Sequence, residues 1–160
     1  MDYISTRGDC PAVDSAQAVL SGLAPDGGLY MPRVFPAFDW KACLKGTSQQ
    51  MSTAILSALL PDIPRMETLV RRAYTGKFET EDLTPTVAVG PFQVLELFRG
   101  PTSAFKDVAL SMLPQLLTAA KEEKGITKEI RILTATSGDT GKAALVGFQD
   151  VPGVSIQVFY

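Results

Sequence analysis

The chain reads as α/β, with a mostly helical stretch over residues 1–80 and, from residue 81, strands and helices in alternation. Three features support this reading. Apolar residues first recur at helical spacing, as in Met51, Ile55 and Leu59; after Phe78-Glu79-Thr80-Glu81-Asp82 they change to strand-like runs at 87–89 and 94–98. Turn-forming residues separate the segments, most densely at Ala24-Pro25-Asp26-Gly27-Gly28. The order from residue 93 onward, strand, helix, strand, helix, strand, is that of a parallel sheet with crossover helices.

Taken in order, a strand over 3–6 leads to a helix opened by Asp14, with Gln17 three positions on, and closed by Gly22. Asp39 and Ser48 predict caps for helices over 40–45 and 49–60, and Asp62 the cap of a helix over 64–74. The second part predicts a strand over 93–98, a loop over 99–102, a helix over 103–124, a strand over 129–135, a helix over 140–149 and a strand over 154–160. Pro114 removes an amide donor inside the longest helix and predicts a kink, or a split after Met112. The last strand has no turn or cap behind it, whereas a parallel strand expects a crossover helix beyond. The chain therefore reads as a truncated sheet domain whose unpaired edge favours self-association.

With 160 residues, 46% of them hydrophobic, the chain can bury a sizeable core. A net charge of −2 gives no field that would hold a polyanion, so nucleic-acid binding is not expected. The longest apolar runs are interrupted by Ser, Pro or Gln short of a bilayer's thickness, and no membrane span is expected. The first residues carry neither an apolar signal core nor an Arg-rich transit pattern, which predicts a cytoplasmic location. The absence of His, with Cys10 and Cys43 outside any CxxC pair, excludes a Cys/His zinc site or a His-based triad within this chain; the thiols read as reduced.

Two loops carry the chemistry. In Leu97-Phe98-Arg99-Gly100-Pro101-Thr102-Ser103-Ala104-Phe105-Lys106-Asp107, a strand ends in a Gly-Pro turn and a lysine stands in the first helical turn. A cation there opposes the helix dipole, which Asp107 suits. Phe105 on one side and the apolar residues 108–110 on the other would desolvate the Lys106 amine and make it a nucleophile toward carbonyl compounds, as a Schiff-base lysine requires. The alternative is a surface lysine whose neighbour Asp107 serves the helix. In the second loop, the strand Ile130-Arg-Ile-Leu-Thr-Ala135 runs into Thr136-Ser137-Gly138-Asp139-Thr140-Gly141. Free amides at a helix start, small residues and the Ser137 and Thr140 hydroxyls suit a carboxylate or phosphate. Here the alternative is an ordinary helix capped by Ser137, Asp139 or Thr140.

LELFRGPTSAFKD followed some thirty residues later by LTATSGDTG closely resembles threonine synthase, a pyridoxal 5'-phosphate enzyme of fold type II. Tyr3-Ile-Ser-Thr-Arg-Gly8 and Gly22-Leu-Ala-Pro-Asp-Gly-Gly-Leu-Tyr30 resemble the family's N-terminal domain. The resemblance implies conversion of O-phospho-L-homoserine and water to L-threonine and phosphate, with Lys106 as the lysine that binds the cofactor and then moves protons. It implies that Ser137, Gly138, Thr140 and Gly141 grip the substrate carboxylate and that Asp139 lies near the cofactor's phenolic oxygen. Arg7 is a candidate for the substrate phosphate, the alternative being a salt-bridged surface arginine. Family members commonly carry His where this chain has Arg99. The family's Gly-Asn-Phe-Gly type loop for the cofactor phosphate, and the partner of the pyridine nitrogen, lie beyond Tyr160, so the chain alone is expected to hold the cofactor weakly or not at all and to be inactive. Two other readings are a synthase-like phospho-lyase of the same fold and a non-catalytic interaction domain.

Overall fold

A computed structural model describes residues 1–159. Its elements are β1 (Tyr3–Ser5), α1 (Ser15–Ser21), β2 (Tyr30–Pro32), α2 (Trp40–Cys43), α3 (Ser48–Leu59), α4 (Met66–Tyr74), β3 (Thr86–Val89), β4 (Phe92–Leu95), α5 (Asp107–Glu123), β5 (Ile130–Ala135), α6 (Asp139–Phe148) and β6 (Val154–Phe159). Tyr160, expected in the last strand, lies outside the described residues. β1 pairs antiparallel with β2, β3 antiparallel with β4, and β5 parallel with β6 from Ile130↔Val154 to Ala135↔Phe159. Among the described residues no helix is long and apolar enough to cross a membrane.

Local chemistry explains most boundaries. The Asp14 carboxylate accepts the Gln17 amide at 2.8 Å to open α1, and Gly22, at φ 67, closes it. Asp39 opens α2 in the same way, through the Ala42 amide. For α3 the cap is Thr47 and not Ser48. Thr47 and Gln50 form a reciprocal capping box, while the Ser48 hydroxyl donates to the Asp82 carbonyl. Asp62 does not cap α4, which begins at Met66 behind Arg65 in the left-handed region at φ 60; Asp62 instead accepts the amide and hydroxyl of Ser15 and the terminal ammonium of Met1. Glu67 in the first turn of α4, with Arg71 and Arg72 in its last, offsets the missing cap through the helix dipole.

The sheet around residue 93 differs from the expected parallel one. β4 closes an antiparallel hairpin with β3 across Gly90, whose φ of 59 fits a two-residue turn. β2 follows the 24–28 turn back to β1 and was not expected as a strand. The long helix starts at Asp107, because Ser103 takes φ 61 and breaks the helical path.

Pro114 does not split α5, which runs through it. The carbonyl four residues back, Leu110, loses its helical donor, and this is the carbonyl against which Gly147 of α6 packs: a Cβ on Gly147 would lie 2.2 Å from the Leu110 oxygen.

The core joins Ala16 of α1, Ile63, Met66, Leu69, Val70, Ala73 and Tyr74 around α4, Leu83, and Met112, Leu116, Ala119 and Ala120 of α5. It draws on both sides of residue 80. From α3 and its C-cap the residues packed against it are Leu56 and Leu60; Ile55, on the expected stripe, is 38% exposed.

Two tests follow from this packing. Gly147→Ala overpacks the α5–α6 crossing and is expected to cost about 1–3 kcal/mol in denaturant unfolding. Asp14 also bonds Lys124, the residue that closes α5, and that bond, followed by the one from the Gln17 amide, holds its carboxyl below the usual range. A lowered folded-state pKa means the stabilisation is present above the ordinary carboxylate range and is lost as pH falls through the folded value. Asp14→Asn keeps the cap but removes the ion pair, whose partners are 40% and 28% exposed, so solvent screening limits the loss at neutral pH to about 0–1 kcal/mol. The acid-side decline in stability should become shallower, and an unchanged pH profile would show that the pair contributes nothing.

Candidate functional site

The lysine loop is fixed from both ends. At its start, Arg99 bridges Glu79 at 2.9 Å and Glu96 at 2.6 Å, with its guanidinium carbon 5.0 Å from the centre of the Phe98 ring. Glu79 and then Glu96 raise the guanidinium pKa. At its end, Asp107, 2% exposed, accepts the Thr102 amide at 2.8 Å and the Thr102 hydroxyl at 2.6 Å. Gly100 is required between them, since a Cβ there would lie 2.5 Å from both the Asp107 Cβ and its Oδ2.

Lys106 occupies the position just before α5, one residue short of the expected first turn, in helical backbone at φ −69 and ψ −15. Its Nζ lies 4.7 Å from the Phe105 ring centre. The expected apolar wall is not built as foreseen: Phe105 is 62% exposed, and Val108 packs toward the core. The turn is instead held from beneath by Tyr74, whose hydroxyl donates to the Val108 carbonyl at 3.1 Å and whose burial pushes its pKa up to about 12.

The second loop ends β5 and starts α6. Gly138 stands at the N-cap with φ 68 and ψ −142 and supplies no side-chain cap. The capped-helix alternative is therefore not realised by Ser137, Asp139 or Thr140. The amides of Asp139, Thr140 and Gly141 have no partner within the helix. Ser137 and Asp139 are exposed, Thr140 is half-buried, and Gly141 is buried, with its Cβ direction 3.3 Å from Val158 Cγ1. The helix thus presents free donors at the carboxyl end of a parallel strand, the usual ligand position in such sheets.

Lys142, in the next turn of α6, joins the two loops: its Nζ donates to the Thr102 carbonyl at 3.5 Å. Sequence reasoning missed it. A cation near a helix start is the same electrostatic oddity that drew attention to Lys106, and it was available as a signal.

Arg7 is bound elsewhere. Its Nη1 donates to the Asp26 carbonyl at 2.9 Å, and none of its hydrogen bonds reaches residues 100–107 or 137–141. Asp26 ties the two N-terminal motifs together, accepting the Ser5 hydroxyl at 2.7 Å, the Gly28 amide at 2.9 Å and the Asp9 amide at 3.1 Å. These bonds, that of Ser5 foremost, lower its pKa. A separate cleft of about 850 Å³ between α3, α4 and residues 75–83 contains none of the expected site residues.

The lysine loop and the uncapped start of α6 are brought together by Lys142 and Thr102 on a frame whose β5–α6–β6 unit is parallel, which defines an α/β protein. Residues 2–74 match the family model described as "Threonine synthase N terminus". Over 98% of its length the chain is 39% identical to a threonine synthase of Methylobacillus glycogenes, and over 91% it is 38% identical to a threonine synthase-like 2 protein of Xenopus laevis. The crystal structure of a PLP-bound threonine synthase from Brucella melitensis superposes with a TM-score of 0.89, at 37% identity over 99% of this chain. Along nearly its whole length the chain is similar to threonine synthases. It spans 35% of the length of the Methylobacillus and Brucella proteins and 32% of the Xenopus one.

Gly138→Ala tests the α6 start. Its surroundings are open, so only the backbone conformation opposes a side chain, and the substitution should cost about 1–3 kcal/mol in thermal or denaturant unfolding. An unchanged unfolding curve would show that α6 can begin by another route.

Proposed function

We propose that the protein carrying this chain is a cytoplasmic threonine synthase that converts O-phospho-L-homoserine and water to L-threonine and phosphate, with Lys106 as its cofactor lysine. The observation that carries this reading is the hydrogen bond between Lys142 and Thr102, which joins the Lys106 loop to the uncapped start of α6 in a chain that resembles the synthases throughout. The residues fit pyridoxal 5'-phosphate in two respects. Lys106 offers a half-buried amine on a pinned loop, and α6 offers free amides. When bound, the cofactor supplies the electron sink that stabilises charge on the substrate carbons.

The chain's own groups have definite tasks in this scheme. Lys106 Nζ holds the cofactor and then takes and returns protons. Ser137, Gly138, Thr140 and Gly141 hold the substrate carboxylate with amides and hydroxyls, and Asp139 accepts a hydrogen bond near the cofactor's phenolic oxygen. Arg7 contributes to the phosphate end if its bond to Asp26 is exchanged for one to substrate. The division is a helical unit over 1–80 and the first part of the cofactor domain over 81–160.

The test is a spectral titration with pyridoxal 5'-phosphate, followed by borohydride reduction and peptide mapping. In a protein of full family length the trapped label should fall on Lys106 and vanish in Lys106→Ala; label scattered over other lysines overturns the assignment. The 160-residue chain alone should take little label, form no threonine, and associate with itself through the β6 edge. The similarity to a threonine synthase-like 2 protein supports a second reading, a phospho-lyase acting on the same class of substrate without making threonine. Product analysis of the full-length protein separates the two.

A further inference from the structure

We infer that Thr102 and Asp107 are positioning residues that form a latch across the lysine loop and set the place of Lys106; this rests on the assignment of Lys106 as the cofactor lysine. Three independent features of the loop point to it. Asp107 is buried, yet no salt bridge reaches it among the described residues; its two hydrogen-bond donors both come from Thr102, five residues earlier. Burying a carboxylate without a counter-charge is costly, and the start of α5 offsets this cost only in part. An apolar residue would fill the space more cheaply, so the carboxylate is retained for its bonds. Ser103, immediately after Thr102, is held at φ 61, a conformation that a non-glycine residue keeps only when its surroundings enforce it. Gly100, across the loop, leaves room for the Asp107 side chain and for nothing larger than hydrogen.

The latch spans residues 102–107, and Lys106 is the last residue inside it. Its Cα is fixed by the Asp107 anchor on one side and by the bonds Asp107 N–H to Ala104 carbonyl and Leu110 N–H to Lys106 carbonyl on the other. From that Cα the lysine side chain places Nζ 4.7 Å from the centre of the exposed Phe105 ring. The latch also reaches the second loop, because the Thr102 carbonyl is the group that accepts Lys142. One threonine therefore sets the lysine through its amide and hydroxyl and meets α6 through its carbonyl.

Thr102→Val keeps the shape and removes the hydroxyl donor; Thr102→Ser restores it. Two readouts are compared in the wild type and both variants of this chain: hydrogen exchange of the hydrogen-bonded amides of residues 102 and 107, and the share of borohydride-trapped pyridoxal 5'-phosphate found on Lys106. A hydrogen bond to a buried charge predicts that Thr102→Val speeds exchange by about tenfold or more and levels the labelling among lysines, with Thr102→Ser returning both toward wild type. Unchanged exchange in Thr102→Val overturns the latch. Faster exchange with Lys106 preference intact shows a purely structural bond and overturns the positioning role. If the wild-type chain shows no preference for Lys106, the labelling arm is repeated in a protein of full family length. Absence of preference there removes the cofactor assignment and the positioning role with it, while the exchange data still decide whether the latch exists.

Discussion

Packing against α5 is the constraint on which the rest of the chain depends. α1 and α4 meet it through the core around Met112, Leu116, Ala119 and Ala120, and α6 meets it where Gly147 closes on Leu110. Lys106 immediately precedes α5, and the donors at the start of α6 are placed by the same crossing. The geometry of the site is therefore inherited from an apolar interface some way from it. The Pro114–Gly147 pair shows how closely the two helices are matched: the carbonyl that proline deprives of its donor faces the residue whose missing side chain allows the approach.

The two helix starts that face ligand chemistry are satisfied in opposite ways. α5 carries its own anion, since Asp107 is buried in its first turn and bonded to Thr102. α6 begins at a glycine without a side-chain cap, and its carboxylate, Asp139, is exposed. Of the two helix starts, only that of α6 leaves its dipole without a buried anion of its own. In the proposed function this contrast divides the work: the lysine stands next to the occupied helix start, and the donors for an anion stand at the free one.

Much of this was legible in the sequence because the signals were local. Asp14, Gly22 and Asp39 act within one helical turn of their own positions, and the β5–α6–β6 order follows from alternation of apolar runs. What was missed depends on partners distant in the chain. Asp62 looked like a cap but is engaged by Ser15, and Ser48 is drawn to the Asp82 carbonyl. The β3–β4 hairpin was mistaken for part of a parallel unit because Gly90-Pro91 gives a turn signal weaker than Asn-Gly or Asp-Gly. At the site, Lys106 and the 137–141 loop stood out by residue type. Thr102, Lys142 and the Glu79–Arg99–Glu96 bridge did not, since their significance is relational.

That bridge has a consequence for the hairpin above it. Phe92, Leu95 and Phe98 are 69%, 54% and 49% exposed, so β3 and β4 gain little from burial, and a two-stranded hairpin holds itself poorly. Its connection to the helical part runs through ion pairs of Arg99 and the bond from the Glu79 amide to the Arg99 carbonyl. The outer pair, Arg99 with Glu79 at 30% and 59% exposure, weakens as the Debye length shrinks; the pair with Glu96, at 30% and 14%, is screened less, and the apolar core beneath does not depend on it. Ionic strength therefore acts first on the Glu79–Arg99 link beside the hairpin, while the backbone bond between the same two residues and the α1–α4–α5 core are insensitive to it.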